Sequence, residues 1–193
     1  MRWKQCGTVV LVILGMIGGR TQAQRGSALD TLHALIRAEA YPEAVVLGER
    51  LLSHLPADAH AGRAEAALDV ATGHYFGQNE SEATRYAQRA LVSATTAADT
   101  ATMMRATRLL ADLLFAGNRY EDALTIEQEG VRLAMAVRDD AAHVKFLSGV
   151  GDNFAMLGVP DSAEHYYRRT LAGLAPDDVR QRAMTASNLA KLL

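Results

Sequence analysis

Three stretches of this chain carry side chains whose types and spacing could do chemistry. His54, Asp58 and His60 offer two imidazoles and a carboxylate, donors that suit a metal ion. No fourth ligand lies near them and nothing is placed to orient the rings, so they read as solvated loop and no metal site is expected. "GVGDNF" at 149–154 has two glycines but lacks the third glycine and the preceding strand of a dinucleotide-binding turn. It reads as close helix packing. "HYYRR" at 165–169 is the densest polar-aromatic stretch. Side chains of adjacent residues on a helix point about 100° apart, so Tyr167 is expected in the core and Arg168 and Arg169 in solvent. A phosphate or carboxylate grip by the two arginines is the sharper alternative there.

The other signals are bland. His33, His74, His143 and His165 are dispersed and read as rim or satisfied interface residues. Met103 and Met104 are expected as gap-filling core. No Gly-x4-Gly-Lys phosphate loop, His-Glu-x-x-His metal helix or Gly-x-Ser-x-Gly nucleophile turn occurs. No catalytic residue and no cofactor is expected, and the chain is not read as an enzyme.

The elements that hold these residues follow from a recurring phrase. "EAYPEAVV" at 39–46, "GNRYEDAL" at 117–124 and "GVPDSAEH" at 158–165 each join a turn to a helix start. Aligned on the small residue after the turn, the phrase places Ala44, Ala83, Ala123 and Ala163 in register, an internal repeat of about 40 residues. Seven residues on come Leu51, Ala90, Gly130 and Thr170. Upstream of each turn lies a second stretch with apolar residues at helical spacing, such as Leu32 and Leu35, or Leu110 and Leu114. Each unit reads as two helices joined by a tight turn: 27–57, 58–98, 99–138 and 139–176, with a partial unit at 177–193. Gly and Asn in the turns tolerate the left-handed backbone that ends a helix. Pro42 and Pro160 suit the first turn of the next. Small residues at 44, 83, 123 and 163 let paired helices approach near their turn. So short a hairpin cannot bury enough apolar surface alone and must lean on its neighbour. The fold expected is all-α, a right-handed α-solenoid of antiparallel helix hairpins.

"GNRYEDALTIEQEGVRLA" and "GVPDSAEHYYRRTLAGLAPDD" resemble the second helices of tetratricopeptide (TPR) repeats. "TASNLAKLL" at 185–193 resembles the first helix of another. The period is similar to that of the longer-helix variety seen in kinesin light chains and in many bacterial exported multi-repeat proteins. Glu39, Gln78 and Glu80 depart from the family pattern, which has Gly at the first two. Gly130 and Gly151, like Ala90, fall where the family keeps a small residue for helix packing; Thr170 fits that position more loosely.

The resemblance implies a protein-interaction scaffold that binds a peptide or protein against its first helices. By register those positions are His33 and Arg37 in the first unit, and Asp69, Thr72 and Tyr75 in the second. The third supplies Arg108, Asp112 and Phe115, the fourth Lys145 and Asp152, and the last helix Asn188 and Lys191. Asp69, Asp112 and Asp152 depart from the Lys/Asn/Arg set that grips a terminal carboxylate in some members. A peptide with basic character is the better expectation.

Residues 1–23 differ from the rest. "MRWKQ" is basic, "TVVLVILGMIGG" is apolar, and "RTQAQ" is small and polar, the order of an export signal. Cleavage is expected after Ala23, and the alternative is an uncleaved anchor through residues 8–19. The apolar run is short against the roughly 20 residues that a membrane crossing needs. Cys6 is the only cysteine and would leave with the signal. The exported chain, periplasmic or extracellular, would carry 17 basic and 22 acidic residues. No basic stripe suits nucleic acid. "SNLAKLL" at 187–193 is an apolar finish, so the chain is also readable as the front of a longer protein. A caspase-like peptidase or sensor kinase would then follow.

Overall fold

The computed structural model describes residues 22–192. The segment expected to act as signal or anchor lies outside the described residues, apart from Gln22 and Ala23. Nine helices and no strand occur among the described residues. They are α1 (Gln22–Arg37), α2 (Tyr41–His54), α3 (His60–Phe76), α4 (Glu80–Ala97), α5 (Thr100–Ala116), α6 (Tyr120–Val137), α7 (Asp140–Met156), α8 (Pro160–Gly173) and α9 (Val179–Ala190). Among the described residues no helix is long and apolar enough to cross a membrane. The chain forms two compact units, one running through Met103 and the other from Met104, with the boundary inside α5.

The turns at 39, 78, 118 and 158 share one geometry. The backbone is left-handed at Glu39, Gln78, Asn118 and Gly158, with φ of 57°, 60°, 59° and 71°. The amide one residue further on reaches back to the carbonyl five before it: Ala40 to Leu35, Asn79 to His74, Arg119 to Leu114 and Val159 to Phe154, at 2.9–3.0 Å. This is the Schellman closure that satisfies the last carbonyls of a helix. Glu39 and Gln78 are the positions where the family pattern has Gly, and both take the left-handed conformation. Gly77 is right-handed, with φ of −76°, and Gln78 carries the left-handed residue.

Between hairpins there are two kinds of link, a short one after α4 and α6 and a longer one after α2 and α8. Ala98 and Arg138 are also left-handed. Asp99 and Asp139 then cap the next helix, accepting from the amides of Thr102 at 3.1 Å and Ala142 at 2.9 Å. The longer links after α2 and α8 instead turn extended at Leu55 and Leu174. There an arginine in the next helix closes the carbonyl end. Arg63 donates to the carbonyls of Leu52 and Leu55, and Arg182 donates to those of Leu171 and Leu174.

In the first unit α1 packs on α2 and α3, α2 on α3, and α3 on α4. Leu32, Leu47, Leu51 and Val70 form its core, and Ala44, Ala83 and Ala90 are fully buried. Gly48 lies against Val70, where a Cβ would stand 2.3 Å from a Val70 methyl. In the second unit α6 packs on α7, α7 on α8, and α8 on α9. Phe146, Leu147, Val150 and Tyr167 are buried there with Ala123 and Ala163. The ring of Phe146 occupies the space beside Gly130, and the ring of Tyr167 that beside Gly151. Thr170 is fully buried because its hydroxyl turns back to the carbonyl of Tyr166 at 3.0 Å, which removes its polar cost. Met103 and Met104 are half-buried rather than core.

Candidate functional site

The expected groove residues fall in two places, one in each unit. In the first unit, His33 of α1 and Asp69 of α3 come together, Nε2 to Oδ2 at 3.2 Å, with Glu65 at 3.8 Å. Asp69 is buried. The Thr72 hydroxyl is spent on the carbonyl of Leu68 at 2.9 Å. Tyr75 stands edge-on to Phe76, and Arg37 is exposed.

The second unit holds the denser cluster. Arg108 of α5 reaches Asp112 on its own helix at 3.1 Å and Glu127 of α6 at 3.2 Å. It also donates to the carbonyl of Lys145 in α7 at 3.1 Å. Asp152 of α7 accepts from the hydroxyl of Tyr167 in α8 at 2.8 Å and from the amide of Asn188 in α9 at 3.2 Å. Asp152 is near enough to Arg108 to help raise the guanidinium's pKa, along with Glu127 and Asp112. Three carboxyl groups therefore share one cation. The side chain of Lys145 is exposed and only its backbone joins the cluster. Phe115 lies edge-on to Tyr120, and Lys191 is exposed at the end of α9.

Glu127 is the residue that reading first helices alone missed, because it comes from a second helix. Its carboxylate is 3 % exposed, and Oε2 is buried without a hydrogen-bond partner. Burial pushes its pKa up to about 8 against the pull of Arg108, while Asp112 and Asp152 push the same way. Burial also raises Asp112, opposed by Arg108. It raises Asp152 as well, opposed by the hydrogen bonds from Tyr167 and Asn188. At neutral pH Glu127 is therefore mostly protonated, a neutral acid 3.2 Å from Arg108. A signal for it existed in the sequence: Glu127 falls one turn after Ala123, on the face that Ala123, Gly130 and Ala134 bury.

The remaining candidates are dispersed. His54 Nδ1 is within hydrogen-bonding distance of the Arg50 carbonyl, at 2.7 Å, and of the Ser53 hydroxyl, at 3.0 Å. Tyr167 is buried, whereas Arg168 and Arg169 are exposed. Arg168 is paired with Glu164, and Arg169 lies over the ring of Tyr166.

These helix pairs, their shared turns and their small-residue contacts define a TPR-like helical-repeat fold. Solved structures with this fold are similar to the chain. The apo form of RapI aligns with a TM-score of 0.78 and 15% identity over 88% of this chain and 62% of its own. TPR-like repeats of a putative kinesin light chain from Podosopora anserina align at 0.69 and 13% identity, over 86% of this chain and 83% of theirs. The Rap conjugation gene regulator of plasmid pLS20, in complex with the Phr* peptide, aligns at 0.65 and 16% identity over 86% of this chain and 47% of its own. This chain thus spans less than two thirds of the two Rap structures. No family model and no curated protein matches at the sequence level.

Proposed function

We propose that the chain is a non-catalytic interaction module that binds a peptide or protein segment, with the acidic cluster of the second unit taking a basic side chain. The observation that carries this reading is that two aspartates and a buried, protonated glutamate share one guanidinium. Asp112 and Asp152 are the contact residues, since both reach the surface. Glu127 lies beneath Arg108 and responds by losing its proton when a second cation arrives. Helices already formed before binding keep the ordering cost low. The peptide complex of a fold neighbour supports the class of partner and not its identity.

Selecting a random displayed peptide library on the full chain tests the reading. Peptides enriched in Arg and Lys are expected on the natural protein, and their loss is expected on Asp112→Lys/Asp152→Lys. Enrichment that both proteins share equally would place the binding face elsewhere. We further propose export of the chain through its first 23 residues, which a fusion of residues 1–30 to a periplasm-dependent reporter enzyme tests.

A further inference from the structure

We propose that the first unit carries a divalent transition-metal site of the zinc type, formed by Glu49 of α2, His74 of α3 and Glu82 of α4. One ligand atom from each of the three side chains lies within 4.8 Å of the others. Zinc bonds to nitrogen and carboxylate oxygen of about 2.0–2.2 Å place the ligands of one tetrahedral ion roughly 3.3–3.6 Å apart. The exposed carboxylates therefore need to close by up to about an ångström, within reach of a glutamate rotamer change.

The imidazole is the fixed member. His74 is 14% exposed, and its Nε2 is buried without a hydrogen-bond partner. It stands 3.8 Å from Oε1 of Glu49, beyond hydrogen-bond reach. A buried ring nitrogen left in that state costs free energy, and a metal ion would use its lone pair. Tyr86 supplies the orienting partner that metal ligands usually have. Its hydroxyl donates to Oε1 of Glu49 at 2.9 Å, and its ring stacks on the imidazole at 5.6 Å and 15°.

Glu49 and Glu82 are 44% and 34% exposed, so an ion can enter from their side and keep water in a fourth position. One imidazole and two carboxylates suit zinc and its first-row neighbours. Calcium, which takes six to eight oxygens, is a poor match. Arg85 is the competitor. It pairs with the carboxylate of Glu82 and rests over the Tyr86 ring at 4.4 Å. An ion on Glu82 would take at least one oxygen from Arg85, which the Tyr86 ring still holds. The spacing of Glu49, His74 and Glu82 forms no sequence motif because three helices contribute one residue each.

The test is titration of the full chain with ZnCl2 by calorimetry and with CoCl2 by visible absorption, with far-UV circular dichroism as a check on folding. The expected result is one Zn2+ per chain and a Co2+ spectrum of low coordination number. His74→Ala should lose that site, and Glu82→Gln should weaken it. Tyr86→Phe should weaken it about tenfold, as orienting partners typically do. Arg85→Ala should tighten it by removing the rival cation. His54→Ala/His60→Ala should leave it unchanged. No stoichiometric binding, or binding that survives His74→Ala in a folded protein, would overturn the proposal.

Discussion

The carboxylate of Glu127 sits where a side chain on residue 149 would begin: a Cβ added to Gly149 would lie 2.2 Å from Oε1 of Glu127. The glycine in α7 and the buried acid in α6 are therefore one feature. Any larger residue at 149 drives Glu127 off Arg108.

Gly149→Ala alone should destabilise the second unit by about 1–2 kcal/mol, because the displaced acid loses its buried partner. In a Glu127→Ala background the same substitution should stabilise by up to about 1 kcal/mol, through helix propensity alone. Urea unfolding of the four proteins measures this coupling. Additive effects would mean that the two positions are independent.

The pKa of Glu127 sets the sign of a pH effect. Its folded value of about 8 lies above the ordinary 4.5, so the native state holds the extra proton between those values. The stability it contributes is complete below about pH 4.5, falls as pH rises, and is gone above pH 8. The slope is at most about 1.4 kcal/mol per pH unit. Asp112 and Asp152, also raised, act with the same sign at lower pH. Glu127→Gln should flatten the fall between about pH 4.5 and 8, measured as urea midpoints across that range.

Left-handed turns held by residues other than glycine carry removable strain. Gln78 adopts φ of 60°, a conformation that costs a side-chain-bearing residue about 1–2 kcal/mol. Gln78→Gly should raise stability by roughly 0.5–1 kcal/mol, the gain being reduced by the freer unfolded chain. Gly158→Ala, at φ of 71°, should lower it by a similar amount. Thermal or urea unfolding decides both.

The repeat itself was legible at Ala44, Ala83, Ala123 and Ala163, because helix pairs that meet near a turn leave no room for bulk, and all four are fully buried. The turns were legible too: the family register has Gly at 39 and 78, and Glu39 and Gln78 carry the left-handed backbone there. The candidate site was only half legible. Register picked out Arg108, Asp112, Asp152 and Asn188, which do cluster. Glu127 and Tyr167 enter from second helices, across distances that spacing along one helix does not report. Arg63 was invisible for a related reason: its partners are backbone carbonyls eight and eleven residues earlier, and carbonyls leave no mark in a sequence.

Those arginine closures give a further expectation. Arg63→Met keeps the apolar stem but leaves the carbonyls of Leu52 and Leu55 without their donor. The cost should be about 1–2 kcal/mol. Arg182→Met should do the same at Leu171 and Leu174. Amide hydrogen exchange should show faster opening at the ends of α2 and α8, respectively. Unchanged exchange would make the arginines ornamental.

The central claim is that the second unit binds a basic side chain at Asp112 and Asp152. Calorimetric titration of the full chain with the tightest library-selected basic peptide, in two buffers of different ionisation enthalpy, tests it most directly. The account predicts proton release on binding near pH 7, affinity that rises from pH 6 to 8, and loss of binding in Asp112→Lys/Asp152→Lys. Binding with no proton release, undiminished in that folded double variant, would contradict it.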